Sequence, residues 1–185
     1  MDTELKEKSF LATQESPGSW MLRAFSLRAA AARLDWRTLP ARDDEPTTTF
    51  MLEYLMLFGL AFENLLKGII SLARLEAELS PPLPRECQVH SLEELAKRNE
   101  CASVGFTTEE LETLRNLTPY IEWAGRYPIP KKLVKMIPLL SSNHSYAAEL
   151  QLWERLIPFL QEKAWVMKGG PTHMGENKLR AKGRA

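Results

Sequence analysis

The stretch TTTFMLEYLMLFGLAFENLLKGIISLARLEA, residues 47–77, decides the fold of this chain. It contains no proline and consists mostly of good helix formers, so we expect one continuous helix from Thr47 to Ala77. At about 1.5 Å per residue such a helix extends roughly 45 Å, enough to be the central element of a small domain. Its middle is apolar on almost every side, which is typical of a helix buried in a core.

Polar residues nevertheless interrupt this apolar helix. At about 100° per residue they fall on one arc of roughly 100°: Glu53, Glu63, Asn64, Lys67, Ser71 and Arg74. Glu63 and Lys67 have the favoured i, i+4 order, and the pair either lies on the surface, lines a cleft or is buried as an ion pair. Asn64 is placed to bond to a neighbouring helix. Gly59 and Gly68 flank the pair and predict close contact with another helix or chain.

Composition is that of an ordinary globular domain. Of 185 residues, 44% are hydrophobic and 26% charged, and the formal net charge is zero, so no overall field attracts nucleic acid or membrane. Cys87 and Cys101 lack metal-binding spacing and are interpreted as a reduced pair. The N-terminus has no apolar signal segment, and the run from Phe50 to Phe62 is too short to span a bilayer. We therefore expect a cytoplasmic protein without a membrane partner.

Turn signals divide the chain into one domain between two tails. Residues 1–18, which end in Ser-Pro-Gly, and the basic residues 169–185 are predicted to be flexible, leaving residues 19–168 as a single helical domain. Helices are predicted at Ser19–Arg37, Thr47–Ala77, Ser91–Arg98, Thr107–Arg126 and Ser145–Lys168, with one or two turns within 131–140. Ser19, Ser91 and Thr107 are the expected caps, the last two in capping boxes. Pro119 and Pro158 should bend their helices. The predicted class is an all-α bundle of about five helices.

A second polar cluster lies in the fourth predicted helix. If that helix stays regular past Pro119, Arg115, Glu122 and Arg126 lie within about 40° of one another, opposite the apolar face. One interpretation is a solvated face on which Glu122 and Arg126 pair. The other is an arginine fork for phosphate, with Asn116 and Tyr120 as hydrogen-bonding neighbours.

Two further features suit contact with nucleic acid. Trp123 and Tyr127 are candidates for stacking on a base or ligand, although tryptophan at this spacing also suits a core. The C-terminal tail is basic, with Lys178, Arg180, Lys182 and Arg184 against Glu176. It is either a solvated end or a salt-sensitive contact for nucleic acid.

Metal and cofactor sites are not predicted. The histidines His90, His144 and His173 are remote from one another in sequence, and no HExxH or Cys/His cluster appears. The Gly-rich phosphate loops and the GxSxG motif are also missing from the sequence. His90, next to a predicted cap, is interpreted as a packing residue.

Three segments together resemble the HEPN superfamily of prokaryotic helical domains. They are LAFENLLKGII at 60–70, HSLEELA at 90–96 and TTEELETLRNLTPYIEWAGRYPIP at 107–130, and the likeness covers about residues 20–165. More narrowly, the chain is similar to uncharacterised bacterial HEPN-like proteins with an ENLLK helix and a WAGRYP segment. The resemblance implies an up-and-down bundle of about five helices, usually dimeric. Many members are metal-independent ribonucleases of defence or toxin–antitoxin systems.

The family motif is an arginine, commonly followed by Asn, Asp or His, with a histidine five or six residues beyond the arginine. Arg115-Asn116 fits the first half, but Tyr120 stands where the histidine is expected. Tyrosine, whose pKa is about 10, is a poor general base at neutral pH. The resemblance thus implies binding of RNA or a nucleotide; an enzyme would use Arg115 to stabilise the phosphate, Asn116 to orient it, and Glu63 or Tyr120 in place of histidine.

Functions of different classes remain open at this point. An RNA site requires Arg115, Arg126 and Lys67 to converge in one positive cleft. A non-catalytic interaction module, antitoxin-like or accessory, requires an exposed apolar patch, with Glu63 and Lys67 buried as a structural pair. A small-molecule pocket between helices is a third outcome. In either of the first two we expect a homodimer formed through the long helix and the fourth helix.

Overall fold

The structure, a computed structural model, describes residues 16–35, 50–79, 83–124 and 145–164. Within these ranges it has no β-strand and five α-helices: α1 Pro17–Arg33, α2 Met51–Glu76, α3 Leu92–Ala96, α4 Thr108–Pro119 and α5 Tyr146–Ala164. Two 3₁₀ turns, Arg85–Cys87 and Asn99–Val104, flank α3, and a π turn, Tyr120–Ala124, continues α4. The predicted all-α bundle is confirmed. The turns predicted within 131–140 and the end of the last predicted helix lie outside the described residues.

Helix α2 is buried by the other helices along its middle. Every residue from 61 to 72 is buried, including the polar side chains of Glu63, Asn64 and Lys67. The helix begins at Met51 and ends at Glu76, one residue before the predicted end, while the predicted caps at 47–49 lie outside the described residues. By length and composition α2 could cross a bilayer, but 72% of its most apolar window is buried inside the bundle. That burial is what a core helix requires.

Helices α1 and α5 pack along α2 in opposite directions. Contacts with α1 run in reverse order along the chain, Trp20 with Lys67 and Arg28 with Phe58, so α1 is antiparallel to α2. Contacts with α5 run in the same order, Tyr54 with Tyr146, Phe62 with Trp153 and Gly68 with Leu160, so α5 is parallel. Trp153 joins the three helices, because its ring centroid lies 5.6 Å from that of Phe62 and 6.2 Å from that of Phe25 on α1.

The two glycines of α2 mark close contacts, as the sequence predicts. A Cβ atom at Gly59 would lie 2.7 Å from Cγ2 of Ile121 in the π turn. A Cβ atom at Gly68 would lie 2.5 Å from Cδ2 of Leu160 on α5. Both distances are shorter than carbon atoms tolerate, so the missing side chains allow the neighbouring elements to approach the α2 backbone.

Helix α1 begins earlier than predicted. Its first residue is Pro17, with Ser16 in the cap position, so the prediction of Ser19 as the cap is wrong. Proline is favoured at the first helical position because its missing N–H would have no partner there. The Ser-Pro-Gly segment therefore starts a helix instead of ending a tail. The helix ends at Arg33, short of the predicted Arg37.

The caps predicted for α3 and α4 are present. Thr107 Oγ1 accepts a hydrogen bond from the Glu110 N–H at 3.2 Å, and the Thr107 N–H donates to Glu110 Oε2 at 2.9 Å, which completes a capping box. At α3, Ser91 Oγ accepts from the Glu94 N–H at 3.4 Å, but within the described residues Glu94 makes no return bond to Ser91, so only half of the predicted capping box forms. This helix ends at Ala96, two residues before its predicted end.

Pro119 ends the regular part of α4. It has no N–H for the carbonyl of Arg115, one turn earlier, and the chain continues as the π turn. A π turn contains more residues than an α turn, so angular positions shift after Pro119. The common face of Arg115 and Glu122 was predicted for a helix that stays regular past Pro119, and this condition is not met. Arg126, the third member of that face, lies outside the described residues.

Candidate functional site

Glu63 carries the central carboxylate of a charged cluster on α2. Its Oε1 accepts a hydrogen bond from Lys67 Nζ at 2.6 Å, one turn further along the helix. Its Oε2 lies 2.9 Å from Nδ1 of His90. The Lys67 ammonium also lies 5.9 Å from the centre of the Trp20 ring, within cation–π range. One carboxylate thus holds an ammonium inside the bundle and an imidazole at its surface.

His90 is not the packing residue that the sequence suggested. Its side chain is 50% exposed. Because an ionised carboxylate only accepts hydrogen bonds, a neutral imidazole bonded to it through Nδ1 carries its proton on Nδ1 and its lone pair on Nε2. In the described part of the chain Nε2 has no hydrogen-bond partner. A carboxylate that orients a histidine whose second nitrogen is accessible is a common arrangement for general acid–base chemistry.

A second charged cluster lies where α3 meets α4. Arg115 donates from Nε and from one terminal nitrogen to the two oxygens of Glu93, at 2.7 Å each. Lys97 Nζ donates to the same carboxylate at 2.6 Å. The hydrogen bond from Arg115, with that from Lys97, lowers the pKa of Glu93 to about 2. The side chains of Arg115 and Lys97 are 59% and 57% exposed, so both cations are open to solvent.

Helix α3 connects the two clusters along one edge of the bundle, which we call the α3 edge and define by His90, Glu93, Lys97 and Arg115. His90 stands one residue before the cap of α3, and Glu93 lies in its first turn. The Leu92 N–H donates to Thr118 Oγ1 at 3.1 Å, which ties the start of α3 to the helix that carries Arg115. Helix α3 is therefore bonded to the helix that carries Arg115, and the segment just before α3 carries His90.

The structure gives the predicted cations Lys67 and Arg115 separate carboxylate partners. Lys67 is buried against Glu63, whereas Arg115 is exposed and bound to Glu93. The condition stated for a single open positive cleft is not met by these two residues. Asn64 donates to the Leu60 carbonyl of its own helix at 2.7 Å, so the predicted bond of Asn64 to a neighbouring helix is wrong.

The remaining predicted site residues are divided between core and surface. Tyr120 and Trp123 are buried in the π turn, a core position, and Tyr120 is therefore not exposed beside Arg115. Asn116 and Glu122 are partly exposed. Arg126 and Tyr127 lie outside the described residues. Sequence reasoning missed His90, Glu93 and Lys97; the i, i+4 spacing of the last two was visible, but nothing local connected His90 to Glu63.

A cleft of about 330 Å³ lies between the start of α4 and α5. One wall is Arg155, which donates to both oxygens of Glu110 at 2.5 and 2.6 Å and to the Val104 carbonyl at 3.0 Å. Its three nitrogens are thus all engaged in joining α5 to α4 and to the preceding 3₁₀ turn. The cleft is better explained as the groove left by this structural clamp than as a ligand site.

The described residues hold no group of three or more His, Cys, Asp or Glu side chains placed to bind a metal ion. Cys87 and Cys101 are free and buried, and burial raises the pKa of Cys101 to about 12. Neither thiol is a candidate nucleophile, because reactivity requires the thiolate.

No family model, no curated protein and no solved structure matches this chain. What the molecule itself defines is an all-α helical bundle with two features on its α3 edge. These are a histidine held by a buried carboxylate and two exposed cations that converge on another carboxylate.

Proposed function

We propose that this chain is a cytoplasmic RNA-binding protein of the HEPN type, belonging to a bacterial defence or toxin–antitoxin system, and that RNA contacts its α3 edge. The observation that carries the proposal is the 2.9 Å contact between His90 Nδ1 and Glu63 Oε2. It supplies an oriented, accessible histidine at the edge that bears Arg115. The sequence motif that the resemblance implies lacks this histidine, since Tyr120 occupies its place.

The positive charge available to a phosphate backbone is that of Arg115 and Lys97, and not the cleft with Lys67 that the sequence predicted. Arg115 and Lys97 are both more than half exposed, and phosphate contacts dominate the affinity of most proteins for nucleic acids. Arginine offers two parallel N–H groups to two phosphate oxygens, a geometry that lysine lacks. Arg115 is therefore the principal phosphate contact of the proposed site, and Asn116, next to it on α4, is a neighbouring donor.

Cleavage of RNA by these groups would need no metal ion, and it requires His90 Nε2 and Arg115 to reach the same phosphodiester. His90 Nε2 takes the proton of a 2′-hydroxyl, and the 2′-oxygen forms a bond to phosphorus. The bond between phosphorus and the 5′-oxygen breaks, and the 5′-oxygen takes a proton from the imidazolium or from water. The products are a 2′,3′-cyclic phosphate and a 5′-hydroxyl. Glu63 keeps the imidazole in the reactive tautomer, and Arg115 offsets the negative charge that develops on the non-bridging oxygens of the phosphate.

The decisive experiment incubates the purified protein in EDTA with labelled single-stranded RNA and with tRNA. We expect salt-sensitive binding and products with cyclic-phosphate ends. Arg115→Ala should weaken binding and make it less dependent on salt by a slope of about 1. His90→Ala should still bind but not cleave. The matched control is Arg23→Ala, which removes an exposed arginine from α1 and should leave both properties unchanged.

Absence of both binding and cleavage would contradict the proposal. If the unaltered protein binds RNA but does not cleave it, the protein is an RNA-binding protein and His90 has no catalytic role. If Arg115→Ala and Arg23→Ala lose RNA affinity equally, RNA does not bind specifically at the α3 edge. Thermal melting of each variant distinguishes these outcomes from unfolding.

The second candidate is a protein-interaction module, and one observation favours it. Leu75, in the last turn of α2, and Leu79, three residues after its end, are 48% and 50% exposed, while Glu63 and Lys67 form a buried pair. The homodimer suggested by the resemblance would use such exposed ends, because residues 61–72 of α2 are already covered within one chain. Sedimentation velocity of the protein and of Leu75→Glu/Leu79→Glu tests whether these leucines form a protein contact: a dimer that dissociates in the variant supports the contact, and a monomer in both argues against it.

A further inference from the structure

Two cations from different helices converge on one carboxylate at the α3 edge. Arg115 donates from Nε to Oε2 of Glu93 and from a terminal nitrogen to Oε1, at 2.7 Å each. Lys97 Nζ donates to the same Oε1 at 2.6 Å. This forked geometry is the one with which arginine binds phosphate. The Glu93 carboxylate therefore fills a position that suits an oxyanion, and we call this position, bounded by Arg115 and Lys97, the oxyanion seat.

We propose that Glu93 is an internal competitor that occupies the oxyanion seat, and that a phosphate group of bound RNA displaces it. This inference rests on the proposed function, because it assigns the RNA phosphate its place and its competitor. Arg115 and Lys97 would bind one phosphate group together, which makes Lys97 a second contact that the sequence motif does not include. Glu93 would weaken the binding of every RNA that has to displace it.

The displacement is physically accessible. Both cations are exposed, whereas the Glu93 side chain is 17% exposed, so solvent reaches Arg115 and Lys97 and can replace the carboxylate when it leaves. Glutamate has three rotatable side-chain bonds, so other rotamers offer its carboxylate positions away from the two cations. The low pKa of Glu93, about 2, means that it stays ionised at neutral pH and competes as a full negative charge.

The test compares Glu93→Gln with Glu112→Gln in the full chain. Both substitutions remove one negative charge that acts on Arg115, but only Glu93 is bound to the guanidinium. In fluorescence anisotropy with labelled single-stranded RNA, Glu93→Gln should bind about three- to fivefold more tightly than the unaltered protein, the fold-change that releasing an exposed ion pair allows. Glu112→Gln should bind less than about twofold more tightly. Glu93→Gln/Lys97→Ala/Arg115→Ala should bind no better than Lys97→Ala/Arg115→Ala, because both contacts that Glu93 occupies are then missing.

A second measurement follows the seat without RNA. Inorganic pyrophosphate is titrated into ¹⁵N-labelled protein, and the Arg115 Nε–H signal, assigned by its loss in Arg115→Ala, is monitored by NMR. We expect the signal to shift on addition of pyrophosphate, and to do so at a lower concentration in Glu93→Gln than in Glu112→Gln. A Glu93→Gln variant that binds RNA and pyrophosphate no better than Glu112→Gln overturns the inference.

The two proposals fail in different ways. One outcome is that the protein does not bind RNA, while pyrophosphate still shifts the Arg115 Nε–H signal at a lower concentration in Glu93→Gln than in Glu112→Gln. In that case the proposed function fails and the oxyanion seat stands. If RNA binds with the same affinity in the unaltered protein, in Glu93→Gln and in Arg115→Ala, RNA binding stands and the seat is overturned. Melting temperatures of all variants establish that each difference arises in the folded protein.

Discussion

His90 Nδ1 lies 2.9 Å from Glu63 Oε2, although 27 residues separate the two in the chain. The contact attaches the segment before α3 to the middle of the most buried helix. It also makes Glu63 serve two groups, because the other oxygen of the same carboxylate binds Lys67. The stability of the core and the orientation of a surface histidine therefore depend on one side chain.

Glu63→Gln should lower the free energy of unfolding by about 3 kcal/mol, because it leaves Lys67 as a buried charge without its partner. Lys67 is only 8% exposed, which prevents full solvation of the ammonium. Urea denaturation followed by circular dichroism measures the change. The double variant Glu63→Gln/Lys67→Met should lose less free energy of unfolding than Glu63→Gln alone. A loss below about 1 kcal/mol in Glu63→Gln would mean that the pair behaves like a surface ion pair.

Gly59→Ala should lower the free energy of unfolding by about 1 kcal/mol. The added Cβ would meet Ile121 Cγ2 at 2.7 Å, and overpacking of this kind costs about 1–3 kcal/mol. The better helix propensity of alanine offsets about 1 kcal/mol of that cost. Thermal unfolding checks the direction. Combination with Ile121→Leu, which removes the branched methyl group, should restore part of the loss; an unchanged melting temperature in Gly59→Ala alone would contradict the close contact.

The free energy of unfolding should fall in acid, because acid protonates the Glu93 carboxylate. Its folded pKa, about 2, is below the ordinary value because of the hydrogen bond from Arg115. A carboxyl group whose pKa is depressed by folding stabilises the protein above its ordinary pKa, about 4.3, and loses that contribution as the pH falls through its folded value. Urea denaturation as a function of pH should show the unaltered protein and Glu93→Gln differing most at neutral pH. Their difference should shrink as the pH falls toward about 2; a constant difference would exclude this linkage.

Glu78→Gly should raise the free energy of unfolding by about 0.5–1 kcal/mol. Glu78 follows α2 with a φ of 55°, a left-handed conformation that glycine adopts without the penalty of a side chain. The Glu78 N–H bonds to the Leu75 carbonyl at 3.1 Å and the Leu79 N–H to the Arg74 carbonyl at 2.9 Å, the pattern of a Schellman cap, where glycine is the usual residue. Ala77→Gly is the control: its φ of −87° is ordinary, so this change should not stabilise.

Features encoded by neighbouring residues were predictable from the sequence. The long apolar run indicated α2, and the glycines within it indicated close contacts, since both depend on residues of one helix. The capping box at Thr107 was recognised because its two partners are three residues apart. The start of α1 was misjudged because Ser-Pro-Gly suits both a turn and a first helical turn, and only the packing of the following residues against α2 selects the helix.

The sequence by itself determined an all-α bundle around one buried helix, since hydrophobic periodicity and capping are local properties. It also drew attention to Glu63, Lys67 and Arg115. The tertiary structure alone decided their partners: His90 reaches Glu63 from 27 residues away, and Glu93 meets Arg115 across 22 residues. Such pairs form only after α3 docks against α2 and α4, and the energy of that docking comes from apolar packing that carries no local signal for the charged residues it brings together.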